Sequence, residues 1–505
     1  MPRSPLSVAL VLPGLLSIVP AAHGQCVFEE LEKVVPSDGA AGDTYGGPLA
    51  VDGDVLVVGA PLADGVHPNS GAAYVHRRIG GAWVEEAKLQ SDDPQPYDDF
   101  GISVDVEGDV LVVGAFFDDE VLPDAGAAFV YVHDGHAWVP TQKLTASTPG
   151  FQARFGRAVA LEGDWLAISA YRSDDLGADS GSVHLFRRVA GTWVERQKLV
   201  ASDGAAGDLF GVDLAFCGDA LLVGAYFDDT THPDTGSAYV FRFDGNTWSE
   251  EAKLVPADAA AGDVLGASVA LDGDTAVVGS YGDDAAGFDS GAVYVFERVG
   301  GAWIERQELV AADTGQGDEF GWAVDVRGDV LAVGAYEDDD LGHDSGAAYV
   351  FRRVGGVWVE ERKIRPSDGA SLDWFGSSVG ILGDDLWVGS MRDDQAAVDV
   401  GAAYRFDLRP LALRADPTGA SAGETLTLET APGPAGQLAA LVLVELAGNP
   451  KFLPLAILPF GADCRMTVGA PVPAGLVGLS ASFRSYGFTV TGVVEETDVV
   501  AVDFL

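Results

Sequence analysis

Positive charge is what this chain has least of. Its 30 Lys and Arg stand against 77 Asp and Glu in 505 residues, a formal net charge of −47. Nucleic acid and anionic membrane surfaces would repel such a polyanion at long range, so neither is expected as a partner, whereas cations are. A high acid content also keeps an exported protein soluble without any specific ligand. Cysteine is nearly absent, and the three present, Cys26, Cys217 and Cys464, are an odd number for an exported protein. Long apolar runs are missing too. Leu6 to Val19 is broken by Pro13 and Gly14, and no later stretch approaches the roughly 18 uninterrupted apolar residues of a membrane span. With Arg3 before that run and Ala22-His23-Gly24 after it, residues 1–24 read as a cleaved signal peptide. The mature chain is therefore expected to be secreted, to the periplasm, the cell surface or the medium.

Catalytic signatures are equally scarce. Of the eight His, His67 and His232 alone share a repeat position, and no His-x-x-x-His or His-Glu pattern accompanies them, so zinc is not expected. Gly376-Ser377-Ser378-Val379-Gly380 spells Gly-x-Ser-x-Gly inside a strand, where a nucleophile elbow would need a strand-to-helix turn. Arg327-Gly328-Asp329 spells an adhesion tripeptide, but its Gly-Asp is an ordinary turn of the repeat described next. No constellation for catalysis stands out, and the chain is read as a binding protein, not an enzyme.

What the chain has in abundance is glycine, 65 residues, together with 48% hydrophobic residues, the profile of turn-rich β-structure. An aromatic residue, once Leu, followed by Gly recurs at Tyr45, Phe100, Phe155, Phe210, Leu265, Phe320 and Phe375, spaced by 55 residues every time. A Gly-Asp step keeps the same register from Gly53 to Gly383, and a Trp recurs at Trp83, Trp138, Trp193, Trp248, Trp303 and Trp358. Each unit holds four short segments of strand character, as in 101–106, 110–115, 126–132 and 138–144. Seven such units predict an all-β, seven-bladed β-propeller of four-stranded blades over residues 26–410. Residues 28–34 match the fourth strand of the other units, and the seventh unit stops at Phe406 without one. The N-terminal segment is thus expected to complete the last blade and remove two open edges. In such a ring Cys26 and Cys217 lie too far apart to bridge, while a Cys26–Cys464 bond stays open. The Trp series is expected to pack blades together and not to stack sugars.

Phe100-Gly101 with Val113-Gly114-Ala115, and Phe210-Gly211 with Val223-Gly224-Ala225, resemble the FG-GAP repeat family, best known from the seven-bladed heads of integrin α-chains. The resemblance implies an exported recognition or adhesion scaffold of cell-surface type. Family members that bind calcium often carry an Asp-x-Asp-x-Asp-Gly loop between the two signature strands. Here that place holds a short turn such as Glu107-Gly108-Asp109, too few oxygens for an ion wanting six to eight.

The acids gather elsewhere, in the two loops of each unit that a propeller places on one face, called upper here. The candidate ligands for a cation, calcium foremost, are Asp38, Asp43, Asp93, Asp98, Asp119, Asp124, Asp203, Asp208, Asp229, Asp234, Asp284, Asp289, Asp339 and Asp344. Each alone also reads as a turn residue accepting backbone N–H bonds. The third unit lacks both first-loop acids, having Thr148 and Ala153, and this paired loss points to a shared role. Residues 411–505, with alternating runs such as Leu441 to Leu446, predict a small C-terminal β-sandwich. The expected function is a monomeric extracellular scaffold that recognises a protein or glycan through its acidic loop face. The alternative is an exported polysaccharide-acting hydrolase or lyase with its site on the same face.

Overall fold

The second strand of four of the seven units is apolar along its whole length, which suits a strand covered on both faces. In Val110–Ala115 all six residues are buried. The outer strand Trp138–Leu144 instead has buried ends and an exposed to half-buried middle. A computed structural model of the chain describes residues 30–409 except 231, 395 and 396, and beyond them the strand backbones of 413–415, 425–430, 438–446, 449–453, 467–471, 480–488 and 494–503. The signal segment, Phe28, Cys26 and Cys464 lie outside the described residues.

Residues 30–408 form seven antiparallel four-stranded sheets arranged as a β-propeller. In blade two, Ser103–Glu107, Val110–Ala115, Ala127–His133 and Trp138–Leu144 follow one another outward from the axis. The third and fourth strands of each of the first six blades carry a bulge, as between Val130 and Tyr131. The core lies between blades. Val57, Val75 and Leu89 of blade one pack with Phe100, Leu111 and Trp138 of blade two in one cluster.

The two glycines of the signature face each other across this boundary. A Cβ on Gly59 would sit 2.0 Å from the Gly101 carbonyl oxygen, and a Cβ on Gly101 would meet the Ala72 carbonyl at 2.2 Å. Bare backbone is thus what lets neighbouring blades approach. Isolated parallel bridges join each blade to the next, from Gly71 with Phe100 round to Tyr45 with Gly401.

Glu30–Val34 pairs antiparallel with Ala402–Asp407 as the fourth strand of blade seven, Val34 opposite Ala403 and Glu30 opposite Phe406. It brings the side chains that other blades take from their own fourth strand. Lys33 reaches Asp368 and Asp393, and Glu30 accepts the Ser367 N–H at 3.0 Å as Glu250 accepts that of Ser202.

The Trp residues of the repeat series are buried, Trp303 half-buried. The Gln142 amide clamps the backbone of Trp193 in the next blade at both ends, donating to its carbonyl at 2.8 Å and accepting its N–H at 2.9 Å. Gln197 holds Trp248, and Gln307 holds Trp358, in the same way. The C-terminal unit contains two antiparallel sheets. One has three strands, Leu413–Ala415, Thr425–Thr430 and Thr467–Pro471; the other has four, Leu438–Leu446, Asn449–Leu453, Ser480–Phe488 and Val494–Asp503. No described helix is long and apolar enough to cross a membrane.

Candidate functional site

The repeated aspartates fall into three sets. Asp43, Asp98, Asp208, Asp263, Asp318 and Asp373 each accept the backbone N–H three residues before them, at 2.6–2.7 Å. All six are buried, and burial pushes their carboxyls above the usual range against those bonds, Asp98 and Asp373 to about 6. Asp119, Asp229, Asp284 and Asp339 accept the N–H groups of Asp124, Asp234, Asp289 and Asp344 at 2.6–2.9 Å. Those four acceptor-held residues sit at φ 50–51°, the left-handed conformation that Asp tolerates better than most.

The third set is neutralised by lysine. Lys253 Nζ lies 2.8 Å from both Asp203 and Asp228, with the Tyr239 hydroxyl 2.8 Å and 2.6 Å from the same two carboxylates. Lys363 repeats this with Asp313, Asp338 and Tyr349, and Lys33 with Asp368, Asp393 and Tyr404. Lys88 binds Asp38 at 2.8 Å, Lys143 binds Asp118 at 2.8 Å, and Asp93 instead meets the Gln95 amide. Because one ammonium takes an acid from each upper loop, the two loops lie together. Lysine thus neutralises part of the acidic face. Sequence reasoning passed over the buried partners Asp118, Asp228, Asp338 and Asp393, whose signal was the doublet Asp118-Asp119 and its repeats.

In blade five Glu308 stands where the lysine should be, near Asp258 and Asp283, and burial followed by those two neighbours raises its carboxyl. Asp339, His343 and Asp344 hold one potential ligand atom each within 4.8 Å of one another on an exposed turn. The hairpin of Arg327-Gly328-Asp329 is a repeat turn, its Gly328 N–H bound by Asp272 at 2.6 Å. Ser378 Oγ donates to the Gly46 carbonyl at 2.9 Å. Cys217 is a free thiol whose sulfur accepts the Gly273 N–H.

The inner strands enclose an axial cavity of about 760 Å³. Where strands obey the repeat, its wall is regular. Around its upper mouth four repeat positions do not, namely those flanking the aromatic-Gly step and the two after each Gly-Ala. Ile102, Arg157, Tyr226, Tyr281, Trp322 and Met391 line the mouth. On one side Tyr281, Trp322, Tyr336 and Trp374 form a ladder with ring centroids 5.1, 4.4 and 5.2 Å apart, ended by Arg392 3.5 Å over Trp374. Burial, then the Glu337 charge, lifts Glu319 there to about 7. On the other side Arg154 lies 4.6 Å from the ring centroid of Phe117 and donates to the Tyr171 hydroxyl at 2.8 Å. Burial and Asp98 lift nearby Asp99 to about 7, while Arg154 opposes. Repetition hid this site from a reading that looked for what recurs.

A family model for the FG-GAP repeat matches residues 28–76, 83–131, 138–186, 193–241, 248–296, 303–351 and 358–406. No curated protein matches the chain. Among solved structures, the acylaminoacyl peptidase of Pyrococcus horikoshii, in an orthorhombic crystal form, aligns with 8% identity and a TM-score of 0.39. That alignment covers 76% of this chain and 57% of the peptidase chain, so this protein spans little more than half of that length.

Proposed function

The chain belongs to the FG-GAP repeat family, and from that premise we propose that it is a secreted, monomeric recognition scaffold, without catalytic activity, that takes an extracellular protein or glycan at the upper mouth of its propeller. One observation carries this reading. In a chain whose seven units largely copy one another, four positions that vary from blade to blade meet around a single opening and are rich in aromatic and charged residues there. Turns directly joined to the inner strands hold most of them, on a rigid scaffold as a binding site requires. The two C-terminal sheets, packed as a sandwich, would tether or sort the propeller. Calcium would act at the upper loops as a stabilising ion, because the turns at the lower hairpins offer too few oxygens.

The test is a glycan and protein binding screen with the exported chain, repeated with Trp322→Ala and Trp374→Ala together. Ligands captured by the parent should be lost by the variant while both remain folded. Capture that survives the double substitution would move the site elsewhere. A second reading, a polysaccharide-acting enzyme, draws on Glu319, whose pKa near 7 beside Glu337 suits proton transfer. Product release from a captured polysaccharide, abolished by Glu319→Gln, would favour it over the scaffold.

A further inference from the structure

Blade three is inverted in charge. Where other blades have Asp93, Asp98 and Asp118, it has Thr148, Ala153 and Ser173. At three positions of the mouth where its neighbours carry Asp99, Ile102 and Phe117 or Leu209, Val212 and Phe227, it carries Arg154, Arg157 and Arg172. Three acids leave and three guanidinium groups arrive within one blade, in a chain with 77 acids and 30 bases.

The three arginines converge on one ring. Their guanidinium carbons lie 5.9, 5.9 and 5.7 Å from the Tyr171 ring centroid. Like charges so close repel, and a cluster of this kind is normally closed by an anion. Among the described residues no carboxylate is within ion-pair reach of them. Asp99 faces Arg154 from a buried position, and both oxygens of Asp213, facing Arg157, already accept backbone N–H groups of Leu214 and Val269. The Nε atoms of Arg154 and Arg172 are buried and have no hydrogen-bond partner, and buried donors are as a rule satisfied. Planar guanidinium forks match the oxygens of a carboxylate or sulfate.

We infer that Arg154, Arg157 and Arg172 form an anion-reading subsite that receives the carboxylate or sulfate of an acidic sugar residue in an otherwise neutral glycan. The inference rests on the mouth being the binding site. The flat rings of Phe117, Tyr226 and Phe227 beside the arginines suit the C–H faces of a sugar ring. The surrounding net charge would repel a densely acidic polymer or peptide, but tolerates one isolated anion held at short range.

The experiment is calorimetric titration of the full exported chain with two matched pairs of probes. Glucuronosyl-xylotriose is set against xylotetraose, and neocarrabiose 4-sulfate against its desulfated form, neocarrabiose. At least one acidic probe should bind tenfold or more tighter than its neutral match. Arg157→Gln with Arg172→Gln should erase that difference; which pair responds tells carboxylate from sulfate. Melting in sodium sulfate against sodium chloride at equal ionic strength is a second readout, in which the extra stabilisation by sulfate should vanish in the variant. Equal binding of acidic and neutral sugars at the mouth would overturn the inference and leave the scaffold reading standing. A sulfate effect that the variant keeps, or tighter binding of hexaglutamate than of any saccharide, also overturns it. An arginine-dependent sulfate effect with no sugar bound would support the anion site and remove the glycan from it.

Discussion

Lys253 and Glu308 occupy the same place in consecutive blades, and the contrast isolates what an ammonium does there. In blade four Lys253 bridges Asp203 and Asp228. In blade five Asp258, Asp283 and Glu308 have no such cation, and burial, with the neighbouring charges, raises Asp283 and Glu308. Glu308→Lys should therefore stabilise the protein, by about 1–3 kcal/mol if the new ammonium finds both acids. Chemical denaturation of the pair checks it, and an unchanged midpoint would show that Asp258 and Asp283 do not need a cation. The aspartate columns were legible in the sequence because they recur every 55 residues. Their lysine partners were not read as such, since Lys253 follows Asp203 by a whole blade's length of chain and only the sheet brings them together.

At the scale of the strand, spacing carried nearly everything: the four segments of each blade, the missing fourth strand of the seventh unit and the N-terminal piece that fits it. What spacing could not convey was the bulge between third and fourth strands, which follows from backbone geometry, not from any one residue type. Removing residues 28–34 should expose two sheet edges and strip Lys33 from Asp368 and Asp393. The expected result is a marked fall in melting temperature or aggregation in size-exclusion chromatography, whereas an equally stable monomer would contradict the role of the closing strand. Trp193, 4% exposed and clamped by Gln142, tests the blade boundary. Trp193→Ala should cost about 3–5 kcal/mol, read by denaturant titration. Loss of sugar binding at unchanged stability would instead assign the Trp series to recognition.

For the molecule as a whole, two groups of acids pull stability in opposite directions with pH. The buried turn set, with Asp98 and Asp373 near 6, and the mouth acids Asp99 and Glu319 near 7 hold protons in the folded state that the unfolded chain gives up. Their contribution is fully present below about pH 4 and is lost as pH rises through 6 to 7. Lys88 holds Asp38 below its ordinary value, and Asp203 and Asp368 are also lowered, burial there being outweighed by Lys253 and Lys33. Those pairs lose stability as pH falls below about 4. Melting temperature should thus peak near pH 4 and decline as pH rises to about 7. Calcium at pH 8 should raise it beyond sodium at equal ionic strength if the upper loops ligate the ion, with chelator reversing the gain; equal effects would reduce those acids to turns and solubilising charge. The closing strand, finally, sets an order of events in time. Glu30 leaves the ribosome among the first described residues, yet its partner Phe406 comes with the last blade. Six blades draw all four strands from one continuous stretch of chain, but the seventh waits for both ends to meet, so folding ends on its longest loop closure. A chain halted before Phe406 would leave its first strand as a loose edge, ready to pair with another copy.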